Sequence, residues 1–227
     1  MKNISLKNNW IYGLLLISVI LAILALVTSD FFLGSGTAGM GIVILLILSF
    51  KKTKSTKDAW LIIGAFLFSI AGDWFMSNMN GDAMMFSKGI ALFFVAHIGY
   101  FLYAIINGKI KWFFTSILLA AFLVFYFVLI YPVIDDKILM AASLIYLLIS
   151  CLSLGASVGI KGDFIAKWAY ITGIFFVLFS DTIISFTEFL RYDKLDFLIL
   201  PTYYLAHISI TFSLIRKVKI KNYIYSS

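Results

Sequence analysis

Residues 111–130 read KWFFTSILLAAFLVFYFVLI, and this stretch decides the fold. After Lys111 come nineteen residues without a charge, in which only Thr115, Ser116 and Tyr126 carry a hydroxyl. A helix rises about 1.5 Å per residue, so roughly 20 apolar residues cross the ~30 Å hydrocarbon layer of a bilayer. Seven more runs of this kind flank it, at 10–28, 31–50, 59–77, 84–106, 138–157, 165–187 and 196–215. Lipid offers no partner to a bare N–H or C=O, so spanning segments are helices or closed barrels. These runs are too long and too evenly apolar for barrel strands. The sequence therefore predicts an all-α polytopic membrane protein of eight transmembrane helices.

Composition agrees. The 227 residues are 63% hydrophobic and 13% charged, against about 25% charged in an ordinary soluble domain. Only two prolines occur and no long polar stretch interrupts the chain, so residues 1–227 read as one integral membrane domain. The amino terminus, with Lys2 and Lys7 before an apolar run, has the look of a signal peptide. The run is long and no small-x-small cleavage site follows it, so a retained first span is expected. The single Cys151 lies in an apolar run and builds neither an internal disulfide nor a thiolate metal site.

The net charge of +7 points to membrane topology rather than nucleic acid. No basic helix interleaved with stacking aromatics is present. With eight spans, one side holds the amino terminus, the loops near 51–58, 107–111 and 158–167, and the carboxyl tail. That side carries 14 of the 18 Lys and Arg. Positive loops stay inside, so both termini are expected in the cytoplasm, and the cytoplasmic (inner) membrane is the expected location.

The third and seventh runs contain the informative residues. Phe68-Ser69-Ile70-Ala71-Gly72-Asp73 and Phe179-Ser180-Asp181 each set a small residue and then Asp late in an outward-going helix. The next span carries a His with Tyr nearby: His97 with Tyr100, and His207 with Tyr203 and Tyr204. Two four-helix halves of parallel topology would explain this repeat; chance similarity between apolar helices would explain it too. A carboxyl in the hydrocarbon zone costs several kcal/mol unless paired, protonated or wet. On a helical wheel Ser69, Asp73, Ser77 and Asn80 form one stripe, and Asp181, Ser185 and Glu188 another. Both stripes run outward, which suggests a polar cavity open to the outer side with the two Asp at matched depth. The plainer alternative makes each Asp a polar tie to a neighbouring helix.

His97 and His207 are expected deeper than the Asp pair, bonding carbonyls or orienting a carboxyl. Two His without a Cys/His cluster are a poor set for haem or metal, so neither metal nor cofactor is expected. Lys88, Arg191 and Lys194 near the outer mouth either attract a phosphate or snorkel to headgroups. No Gly-x-Ser-x-Gly elbow, Walker loop or His-Glu-x-x-His occurs, which argues against serine-type lipid hydrolysis, ATP use and zinc peptidase chemistry.

At these residues the chain resembles the YhhN-like membrane proteins, the family that includes the lysoplasmalogenases. The resemblance rests on Gly72-Asp73, on Phe86, Gly89, Phe93, His97 and Tyr100, on Gly173, Phe176, Ser180 and Asp181, and on Tyr203-Tyr204-Leu205-Ala206-His207. His207 stands where many relatives are expected to have glutamine. The resemblance implies hydrolysis of the vinyl ether bond of lysoplasmalogens, with Asp73 and Asp181 as catalytic carboxylates. A lysophospholipid substrate and the bilayer are the implied partners. Vinyl ether cleavage needs a proton on the terminal alkene carbon and a carboxylate beside the resulting cation, the two-acid logic of glycoside hydrolysis. Two acids sharing a low-dielectric site divide those roles, one protonated and one ionised. Two rival readings remain: a transporter with an intramembrane Asp/His relay, and a scaffold in which the Asp residues only pack.

Overall fold

The acidic side chains outside the spans begin the helices. Asp30 accepts from Leu33 N at 2.9 Å, Asp82 from Met84 N at 2.8 Å and Asp136 from Ile138 N at 2.7 Å. Each takes up a backbone N–H that the first turn of a helix leaves unpaired. Asp163 does the same for Ala166 N at 2.9 Å. Here Arg216, 3.0 Å away, and the Ala166 amide hold the carboxyl below the usual carboxylate range. The depressed value means that this contribution is complete above that range and is lost as pH falls through it.

The computed structural model describes residues 10–50 and 58–224, with side chains through 218. Lys2 and Lys7, the lysines between 51 and 57, and the side chains of Lys219 and Lys221, all part of the positive-side count, lie outside the described residues. The helices are α1 (Trp10–Thr28), α2 (Phe31–Phe50), α3 (Ala59–Ser77), α4 (Ala83–Asn107), α5 (Trp112–Phe125), α6 (Lys137–Ser157), α7 (Phe164–Leu190) and α8 (Ile199–Ile224). Among the described residues the fold is all-α, without a strand, and eight helices are long and apolar enough to cross a membrane. The chain is a multi-pass integral membrane protein. Its proximal end holds the start of α1 and the end of α8; its distal end holds the turns 29–30, 78–82, 134–136 and 191–198.

α5 does not end as a plain helix. Pro132 has no N–H and its ring crowds the carbonyl four residues back. The chain answers with a π turn over Tyr126–Ile130, in which Tyr131 N bonds Tyr126 O, and a 3₁₀ turn over Tyr131–Val133. Tyr126 OH then donates to Met140 O at 2.6 Å, tying the irregular end to α6.

The span that includes α8 is the most buried and the one that includes α5 the most peripheral. α3 pairs closely with α4, and α7 with α8. In lipid, helices associate through close packing rather than hydrophobic burial, so small residues mark the contacts. A Cβ on Gly99 would stand 2.8 Å from Leu61 O, and one on Gly173 would stand 3.0 Å from Ala206 O. Backbone atoms cannot yield there as a flexible side chain can. Gly99→Leu is expected to cost about 1–3 kcal/mol of stability by overpacking, read as a lowered melting temperature in detergent. An unchanged melting temperature would refute the close α3–α4 approach.

At the proximal end, Lys217 of α8 pairs with Asp58 and lies 2.6 Å from Asn107 Oδ1; Asn107 Nδ2 donates to Asp58 at 2.6 Å. This network joins the ends of α3, α4 and α8.

Candidate active site

Asp73 sits in the last turns of α3 and Asp181 two-thirds along α7. Both line one polar cavity of about 310 Å³, walled by α2, α3, α4, α7 and α8. The two carboxyls thus open onto one shared space. Ser77, Glu188 and Asp196 line the same space toward the distal end. Four carboxylic acids line it and, among the described residues, no Lys or Arg.

Asp181 is the better-held acid. Tyr146 OH of α6 donates to its Oδ2 at 2.6 Å, and His97 Nε2 of α4 lies 3.3 Å from the same oxygen. The His97 side chain is 1% exposed and that of Asp181 11%, so these contacts form largely out of solvent. His97 is fixed from behind: Ser153 donates to its carbonyl at 3.0 Å, and its ring meets those of Tyr146 and Tyr100 edge-on, at 5.2 and 5.7 Å.

Asp73 has a different setting. The Tyr203 hydroxyl is buried and lies near both Asp73 and Ser69, without completing a well-formed hydrogen bond. Ser69 in turn lies 3.3 Å from Tyr100 OH, and Tyr170 OH donates to Tyr100 O at 2.8 Å. A buried hydroxyl with an open valence beside a carboxyl is ready to bond whatever enters the cavity.

The remaining sequence-derived residues divide. Ser180 lines the cavity and donates to Ile199 O at 3.1 Å; Tyr204 lines it and packs against Gly34. Tyr100 supports the wall from behind. His207 is buried between Phe66 and Tyr203, ring centroids 4.8 and 4.5 Å away, with neither ring nitrogen bonded. Lys88 lies over Phe75 at 5.7 Å and, like Arg191 and Lys194, is outside the cavity lining. Of the two polar stripes, Asp73, Ser77, Asp181 and Glu188 face the cavity, while Ser185 turns its hydroxyl onto Thr182 O at 2.6 Å. Tyr146 was not foreseen; Ser143, Ser150, Ser153 and Ser157 share its face of α6 and make a polar stripe on a mainly apolar run, the one signal that marked it. Among the described residues no three His, Cys, Asp or Glu gather as metal ligands would.

The sequence profile of the YhhN family matches residues 35–214, from α2 into α8. The chain belongs to the YhhN family. No curated protein and no solved structure matches it. The YhhN match spans every residue described above in this site except Gly34. Membership is consistent with a lysoplasmalogenase-like hydrolase.

Proposed function

We propose that this YhhN family member is an intramembrane hydrolase that cleaves the vinyl ether bond of lysoplasmalogen-type lysophospholipids. The products are a fatty aldehyde and a glycerophospho-headgroup. The observation that carries the reading is two carboxyls of unlike surroundings on one membrane-embedded cavity.

Hydrogen bonds to a carboxylate favour its charged form. Asp181, with Tyr146 and His97 on one oxygen, is therefore assigned as the ionised partner, and His97 as its Nε2–H donor. Asp73, facing only the Tyr203 hydroxyl, is assigned as the acid. Asp73 gives its proton to the alkene carbon remote from the ether oxygen, and the electron pair of the double bond forms the new C–H bond. The cation left beside the ether oxygen is steadied by Asp181. Water adds to that carbon and passes a proton to a carboxylate. The hemiacetal then collapses: its hydroxyl loses a proton, the C–O bond to glycerol breaks, and the departing oxygen is protonated.

The positive-side count supports placing both termini in the cytoplasm, which opens the polar cavity toward the outer face. Its acidic lining suits a headgroup that carries an amine.

The test is aldehyde release from lysoplasmalogen by the purified protein. In heavy water, promptly trapped aldehyde is expected to carry one deuterium on the carbon next to the carbonyl, where Asp73 delivers its proton. Absence of aldehyde from any vinyl ether lysolipid would overturn the reading; flux across proteoliposomes without product would replace it with transport. Tyr146→Phe is expected to lower kcat roughly 10-fold, the worth of a hydrogen bond to a charged group, with KM little changed. An unaltered kcat would remove Tyr146 from the mechanism.

A further inference from the structure

A second cavity adjoins the first. It lies between α4, α5, α6 and α7, is narrower at about 80 Å³, and shares Met76, Phe93, Asp181 and Ile184 with the polar one. Its other walls are mainly aliphatic and aromatic, among them Ile90, Phe122, Leu147 and Phe189. The hydroxyls in its lining are turned away onto their own helices. Ser143 donates to Met140 O at 3.0 Å, Ser150 to Tyr146 O at 2.8 Å, and Thr182 to Leu178 O at 2.7 Å. Tyr146 spends its hydroxyl on Asp181. The wall is thus effectively hydrocarbon, and Asp181 is the polar group where the two spaces join.

We propose that this cavity is the subsite for the single alkyl chain of the substrate, with the headgroup in the polar cavity and the vinyl ether at the junction beside Asp181. The proposal rests on the reading of the protein as a lysolipid hydrolase. Three features select a chain over other occupants. The cavity runs along α7 from Leu178 to Phe189, a rise of about 16 Å, and is narrow across. A thin, long, uncharged group fits that shape. Its continuity with the polar cavity at a carboxylate calls for a molecule with one apolar and one polar arm. Its outer wall is α5, the most peripheral helix, whose π turn places Tyr126 and Ile130 in the lining. Irregular turns of this kind recur at functional sites, and this one lies where a chain in the bilayer meets the bundle.

The experiment uses reconstituted full-length protein and a non-cleavable alkyl-ether lysophosphatidylethanolamine with a diazirine at the chain terminus. Crosslinks are expected on α5 and α6 residues of the cavity and are expected to fade with unlabelled lysolipid. Crosslinks confined to bilayer-facing side chains would overturn the subsite. In parallel, Leu147→Trp is expected to lower kcat/KM for a C18 vinyl ether relative to a C8 one by about tenfold, as lost apolar contact does in pockets. Phe127→Trp, exposed on the π turn that follows α5, is expected to leave that ratio unchanged. Equal effects on both chain lengths in Leu147→Trp would also overturn the subsite. If crosslinks map to the cavity while no aldehyde forms from any substrate, the hydrolase reading falls and the chain site stands.

Discussion

Asp181→Asn is expected to lower aldehyde release by roughly 10²–10⁴-fold, the usual share of a general acid or base, while the protein keeps its elution profile and melting temperature. The amide keeps the shape of the carboxyl but not its charge. Tyr146 and His97 would still have an acceptor, so the wall holds, but the cation would form beside a neutral group. Asp73→Asn is expected to fall in the same range for another reason: an amide cannot deliver a proton to carbon. The double variant should be scarcely worse than the lower single one, because groups acting as a unit are not additive. Normal turnover in both single variants would dismiss the dyad. A collapse of folding in both, without a specific loss of kcat, would favour Asp residues that only pack.

Lys217→Met is expected to destabilise the protein by about 3 kcal/mol, the cost of leaving one partner of an enclosed ion pair alone. Asp58 and Lys217 have side chains only 13% and 17% exposed. Without the ammonium, Asp58 retains the Asn107 donor but, among the described residues, no counter-charge. Adding Asp58→Asn to Lys217→Met should recover much of the loss, since a neutral side chain has less need of a partner. Thermal denaturation of the four proteins in detergent forms a double-mutant cycle. Independent, additive losses would show that the pair contributes no coupling between α8 and α3.

The eight spans were legible because each crossing demands its own uninterrupted apolar run, and such a run is a local property. Asp73 and Asp181 were legible for the converse reason: a carboxyl inside such a run is conspicuous. What joins the helices was not local. His97 meets the Asp of the other half of the chain, 84 positions away, rather than that of its own. Tyr146 is one of twelve tyrosines, and its importance follows from α6 lying beside α7. The Lys217–Asp58 pair spans 159 positions. The 111–130 run gave no sign that its end before Pro132 would take the form of a π turn lining a cavity.

The two hollows meet at Asp181, and Met76, Phe93 and Ile184 belong to the walls of both. Fragments born at that fork would exit into unlike surroundings, the greasy aldehyde dissolving sideways among acyl tails and the water-soluble remnant diffusing off. Recombination would require both to return at once. On the proposed hydrolase reading, such a partition would disfavour the reverse reaction without any gate, and would keep a reactive carbonyl away from aqueous amines.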